Sequence, residues 1–168
     1  VTSVATPGVL AALAGAGAWL VSQRGDLTKF ALESASGDVR IEQGLLQSSS
    51  PAAAARGDPL RRGARVVCGA GASARVQVGE IGFVTLESDT RVRVVRSADN
   101  QQSDGALQLD LERGSVSASI FAAPRIFQLG TPSGIAVDLG CVYRTTVDDM
   151  GHTTLSVLLG KVSFESEG

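Results

Sequence analysis

The amino-acid sequence predicts an all-β domain over residues 30–168, preceded by an apolar N-terminal helix. The expected architecture is a compact β-roll or jelly-roll-like sandwich, or a short β-solenoid. Three observations predict it. From Phe30 onward apolar and polar residues alternate with period two, the pattern of a strand with one buried face. Turn-forming clusters interrupt that alternation every roughly 8–12 residues, the spacing of sandwiches and rolls. No segment after residue 30 carries a convincing helical period.

The first element is Val1–Gln23, which has no charged residue. Inside it, Pro7–Val21 is a helix candidate, with Thr6 as N-cap and Pro7 at the first helical position. Such a helix is about 22 Å long at about 1.5 Å per residue. A hydrocarbon core is about 30 Å thick, so the stretch is short unless Val1–Ala5 joins it. Trp19 suits an interfacial position near its end. Three readings stand: a truncated transmembrane helix, a secretory signal cut at Ala14-Gly15-Ala16 or Ala16-Gly17-Ala18, or an Ala/Gly-rich leader. The first two place the rest of the chain outside the cytoplasm. Residues 24–29 form a linker containing Arg24 and Lys29.

The β domain then opens with a hairpin over Phe30–Ile41, turning at Ser36-Gly37-Asp38. Residues 47–58, QSSSPAAAARGD, read as a mobile surface loop, because four alanines are too few to hold a helix alone. Strands are expected at Ala74–Val78, Arg91–Val94, Leu107–Leu111, Val116–Ile120, Val142–Val147 and Thr154–Leu158. Turns are expected at Gly69-Ala70-Gly71, Asp99-Asn100, Arg113-Gly114 and Asp148–Gly151. A glycine recurs between a leucine and a valine at Gly63, Gly114 and Gly160. This fits hairpin punctuation or the stacked coils of a roll.

Composition narrows the function. Fifteen basic and 17 acidic residues in 168 give a net charge of −2, which excludes a strongly basic nucleic-acid binder. A hydrophobic fraction of 43% against 19% charged residues supplies enough apolar surface for a core. One histidine and two cysteines cannot make the usual four-ligand zinc site without carboxylates, and no cofactor is expected. Gly69-Ala70-Gly71-Ala72-Ser73-Ala74 has the spacing of a dinucleotide fingerprint. The strand pattern that follows denies it the helix such a site needs, so a tight hairpin turn is expected. His152, in Asp149–Thr153, reads as a solvated turn residue and not as the base of a nucleophile dyad. Asp148 and Asp149 read first as turn formers. Arg-Gly-Asp occurs at Arg24–Asp26 and Arg56–Asp58, where it is also turn-favourable.

The remaining candidates are Cys68 and Cys141. An exported domain can hold a disulfide between them; the other reading is two small buried hydrophobes. In one phase of the alternation Val137, Leu139, Cys141 and Tyr143 form an apolar face, which makes Cys141 a core residue. Asp138 then falls on the opposite face, bracing a turn or exposed.

Several blocks carry a resemblance. Val78–Val95, with its Thr90-Arg91-Val92-Arg93 strand, looks like the middle of a FecR-type domain. Leu109-Asp110-Leu111-Glu112-Arg113-Gly114-Ser115-Val116 resembles a turn of that family, and Ala123-Pro124-Arg125-Ile126-Phe127-Gln128-Leu129-Gly130-Thr131-Pro132-Ser133 resembles its Thr-Pro strand. Ala136-Val137-Asp138-Leu139-Gly140-Cys141-Val142-Tyr143, Val147–Gly151 and Leu158–Phe164 resemble its later blocks. The likeness covers about Leu60 to Phe164, and its Thr-Pro and Leu-Gly-Cys-x-Tyr blocks are the specific part. Cys68 stands where a small polar residue is expected, so the resemblance implies no disulfide.

The resemblance implies the extracytoplasmic sensing module of a sigma-factor (anti-sigma) regulator, non-catalytic, with its β domain on the periplasmic side of the inner membrane. The implied partner is another envelope protein, such as the signalling domain of an outer-membrane receptor. A sigma factor would be met only through a cytoplasmic segment that has no counterpart in these residues. From a different class, a structural or carbohydrate-binding β module of the envelope is the alternative.

Overall fold

A computed structural model of the protein describes residues 30–42, 52–96 and 106–166. The expected N-terminal helix and linker, and the Asp99-Asn100 turn, lie outside these residues. The described residues are all β: β1 (Phe30–Ser36), β2 (Val39–Glu42), β3 (Ala52–Ala53), β4 (Pro59–Leu60), β5 (Arg65–Cys68), β6 (Ser73–Val78), β7 (Gly82–Leu86), β8 (Arg91–Arg96), β9 (Leu107–Ile120), β10 (Phe127–Thr131), β11 (Gly134–Asp138), β12 (Cys141–Val147), β13 (Thr153–Leu159) and β14 (Val162–Glu165).

These strands make one curled, mostly antiparallel sheet with two faces folded toward each other. Sheet I contains β4, β1, β6, β7, the second half of β9, β12 and β13. Sheet II contains β3, β2, β5, β8, the first half of β9, β10, β11 and β14. The chain repeatedly crosses a shared corner: β1 passes to β2, β5 to β6, and β7 to β8. β9 crosses it without ending.

Local chemistry makes these corners. Gly37, Gly71 and Gly114 have positive φ, as does Asp89 (56°), so each crossing has a residue in the left-handed region. Backbone bonds stitch one corner to the next. The Gly69 amide donates to the Asp38 carbonyl (2.9 Å), the Cys68 amide to the Thr90 carbonyl (2.8 Å) and the Asp89 amide to the Gly69 carbonyl (3.2 Å). At β9 a side chain takes over. Thr90, buried, accepts from the Ser115 amide at Oγ1 (3.0 Å), and that hydroxyl lies 3.1 Å from the Ser115 carbonyl it can donate to.

The core lies between the two sheets. Phe30, Leu32, Val76, Val84 and Leu86 face inward from sheet I, and Val66, Leu109, Leu111, Phe127 and Leu129 from sheet II. Each fully buried large aliphatic or aromatic side chain stabilises the fold by about 1.5–3 kcal/mol.

Most expected strands form, with four corrections. Leu107–Leu111 and Val116–Ile120 are halves of the single strand β9. Gly114, at φ 92°, bends that strand from one sheet to the other instead of ending it, and a register shift by Arg91/Val92 absorbs the bend. Gly69–Gly71 and Ser36–Asp38 are likewise corners and not the hairpin turns expected at Gly69–Gly71 and within Phe30–Ile41, since β5 and β6, and β1 and β2, pair with other strands and not with each other. Neighbouring crossings run antiparallel, which is not the parallel stacking of a solenoid; β9 with β10 is the parallel ladder. Of the 47–58 segment, residues 47–51 lie outside the described residues. Ala52–Ala53 pairs with β2 because that edge offers free backbone partners.

Candidate functional site

The junction of β11 and β12 holds the most unusual side-chain chemistry. β11 ends at Asp138, the chain turns through Leu139 and Gly140 (φ 86°), and β12 begins at Cys141. The turn resets the alternation. Asp138, Cys141 and Tyr143 therefore all point inward, and Asp138 is 1% exposed and not on an outer face. Its carboxylate braces the turn: Oδ1 accepts from the Gly140 amide (2.6 Å) and Oδ2 from the Cys141 thiol (2.8 Å).

Burial pushes the Asp138 carboxyl above its ordinary value, against the lowering effect of those two hydrogen bonds. Burial, and then the hydrogen bond to Asp138, push the Cys141 thiol up to about 12. Tyr143 is raised well above the usual phenol value, by burial first and by the Asp138 charge second. A thiol held protonated at neutral pH is a poor nucleophile. The arrangement is a hydrogen-bonded brace that carries the chain from sheet II to sheet I. On the same strand β12, the hydroxyls of Tyr143 and Thr145 are buried with no hydrogen-bond partner among the described residues.

Cys68 is also buried, at the end of β5, and burial pushes its thiol up to about 11. Both thiols are unbridged in this structure; Cys68 is on sheet II and Cys141 on sheet I.

A second cluster lies on the outer face of sheet II. Arg93 Nη2 donates to Asp110 Oδ2 (2.8 Å), and Arg65 Nε donates to Glu112 Oε1 (3.0 Å). Gln108 Nε2 donates to Asp110 Oδ1 (3.1 Å). Gly130 on the adjacent β10 leaves room for that carboxylate, since a Cβ there would lie 2.2 Å from Asp110 Oδ1. This network walls an open cleft of about 430 Å³, closed on the other side by Thr131-Pro132-Ser133 of the β10–β11 turn.

The motif residues fall on turns. Asp148 Oδ1 accepts from the Met150 and His152 amides (2.9 Å each), and Oδ2 lies 3.0 Å from His152 Nδ1. These bonds hold the Asp148 carboxyl below the ordinary carboxylate range. His152 is well exposed and serves this turn. In Arg56–Asp58, Asp58 Oδ2 accepts from the Ala55 amide (2.8 Å), closing a local turn; Arg24–Asp26 lies outside the described residues. The G-x-G-x-x-A stretch forms a corner and leads into strand β6. Among the described residues no group of three or more His, Cys, Asp or Glu is placed to hold a metal ion.

One edge is apolar and open. Among the described residues β13 pairs only with β12, and Val157, Leu158 and Leu159 on it are exposed, as are Phe121 and Phe164. β13 carries neither charge nor proline, the devices that normally blunt an edge strand.

The sequence placed Cys141 correctly in the core. It missed the inward Asp138 and the cross-sheet charged clusters, because both depend on where the phase resets and on which strands pair.

A curled all-β module with turn-bracing buried polar groups and one open apolar edge is the class of protein this geometry defines. A family model described as FecR protein matches residues 64–163, and the chain belongs to that family. The family is a regulatory, non-enzymatic one, and its domains are of the sigma-factor-regulator signalling type. The match runs from the turn before β5 into β14; β1–β4 complete the same two sheets outside it. No curated protein and no solved structure matches the chain.

Proposed function

We propose that the chain is the extracytoplasmic sensing module of a sigma-factor regulator, tethered in the inner membrane through Val1–Gln23. The observation that carries this reading is the FecR family match over residues 64–163. The uncharged first 23 residues support the tether. Among the described residues no helix is long and apolar enough to cross a membrane. The partner in this reading is another envelope protein, such as the signalling domain of an outer-membrane receptor. An extended partner segment gains backbone hydrogen bonds by adding to an open strand edge, and the uncharged β13 edge with its exposed leucines is suited to that.

The test is a chromosomal deletion of residues 64–163 followed by transcript profiling. The expected result is a change confined to genes transcribed by one alternative sigma factor. An unchanged profile, or a general envelope-stress response alone, contradicts the reading.

A further inference from the structure

The outer face of sheet II presents two neighbouring rows of side chains that are built differently. One row runs Glu42–Arg65–Arg93–Asp110 across β2, β5, β8 and β9. Its arginines are neutralised by Asp110 and Glu112. Two residues nearer the corner, the register runs Arg40–Val67–Arg91–Arg113. Arg91 and Arg113 are direct cross-strand partners, and no carboxylate stands in the row. Like charges placed opposite each other on paired strands are destabilising.

Acidic groups at the rim offset two of these arginines and leave Arg91. Asp38 lies 3.5 Å from Arg40 Nε, and Asp149, from the β12–β13 turn, lies 2.9 Å from Arg113 Nε. Each carboxylate ion-pairs its arginine at Nε, as Glu112 does Arg65, so Arg40 and Arg113 each have an acidic partner at the rim of the row. Asp89 lines the cleft and accepts from the Ser88 hydroxyl (2.8 Å). Arg91 makes no ion pair among the described residues. Between the three arginines is an open cleft of about 260 Å³, with Val67 and the buried Thr90 among its lining.

We propose that this cleft binds a phosphate group, held by Arg91 and Arg113 from adjacent strands and by Arg40 across Val67. A phosphate dianion offers several acceptor oxygens to the planar guanidinium forks, and bidentate arginine contacts are the strong form of such recognition. It supplies Arg91, which faces Arg113 across the strand pair, with the anionic partner it lacks among the described residues. The cleft also has space for a small ester substituent. Asp89 opposes an anion and keeps the affinity modest. Free phosphate and a phosphate monoester, including a lipid headgroup, share this chemistry.

The test titrates the full chain with inorganic phosphate, glycerol phosphate, or short-chain phosphatidic acid below its micellar concentration. Sodium chloride at matched ionic strength is the control. The readouts are the amide signals of residues 89–91 and 113–114 and the thermal midpoint. Saturable shifts with inorganic phosphate assign a free-phosphate site. Saturation only by glycerol phosphate or phosphatidic acid assigns an ester or a lipid headgroup. Shifts equal to those in chloride overturn the proposal. Arg91→Gln should weaken phosphate binding about tenfold, the loss of one charge-assisted contact. Without phosphate it should raise the thermal midpoint by removing the repulsion. A lower midpoint without phosphate means that Arg91 is already satisfied within the protein, and overturns it. Should Arg91→Gln not fold, Arg113→Gln must show the same loss of phosphate response, and an unchanged response overturns the proposal.

Discussion

Asp138 and the two thiols are where single side chains affect stability through protonation. The ordinary thiol value is 9.0, and burial pushes Cys68 to about 11 and Cys141 to about 12. Below pH 9 both thiols are neutral in the folded and unfolded chain, and their contribution to stability is complete. Between pH 9 and 11–12 the unfolded chain releases these protons while the folded chain keeps them, so stability falls as pH rises. The expected slope is on the order of 1 kcal/mol per pH unit per thiol. Urea unfolding of the wild type and of Cys68→Ala/Cys141→Ala at pH 8, 9 and 10 checks it. The wild type should lose stability over this range and the double variant should lose less; equal losses contradict buried, protonated thiols. Cys141 was legible as core because its strand alternates cleanly after residue 141. Asp138 was not, because Gly140 resets the phase, and the rule of two carries no information across a residue with left-handed φ.

At the scale of strands, the corner in β9 rests on Gly114. It shares a positive φ with Gly63, at 92° and 84°, but their surroundings differ. A Cβ at Gly114 would lie 2.5 Å from Thr90 Oγ1 and 2.6 Å from Thr90 Cα, whereas one at Gly63 meets nothing within 4 Å. Gly63→Ala therefore carries only the backbone strain of a left-handed alanine, about 1–2 kcal/mol. Gly114→Ala adds a collision with Thr90, which is fixed by its bonds to Ser115, and should cost about 3 kcal/mol or more. Denaturant unfolding of the two variants checks this, and equal losses would remove the close approach from the account. The same pair explains what the sequence could and could not tell. The strands read from alternation form, including both halves of β9, whereas β3 falls in the segment read as a loop and β4 is too short to show a period. Whether Arg113-Gly114 ends a hairpin or bends one strand was not, because the difference lies in Thr90, twenty-four residues earlier. The row of Arg40, Arg91 and Arg113 was hidden likewise: period two turns each outward, but only register aligns them.

Across the whole molecule, the two sheets enclose one core, and the FecR match covers most of the strands that build it. The all-β class and the family were both readable from the residues, through the alternation and through the Thr-Pro and Leu-Gly-Cys-x-Tyr blocks. The strand order was not, since the pairing of β9 with β7, β8, β10 and β12 is decided by long-range packing. The open β13 edge and the uncharged Val1–Gln23 segment make physical sense together if the β domain meets its partner outside the cytoplasm. That placement is the central claim. Its most direct measurement uses the full chain with a site-specific protease sequence and an epitope fused after Gly168, expressed in cells converted to intact spheroplasts. With protease added outside, the account predicts loss of the epitope while a cytoplasmic protein carrying the same site stays whole. Retention of the epitope, with cleavage only after lysis, would contradict the extracytoplasmic placement and remove the main physical support for the sensing role.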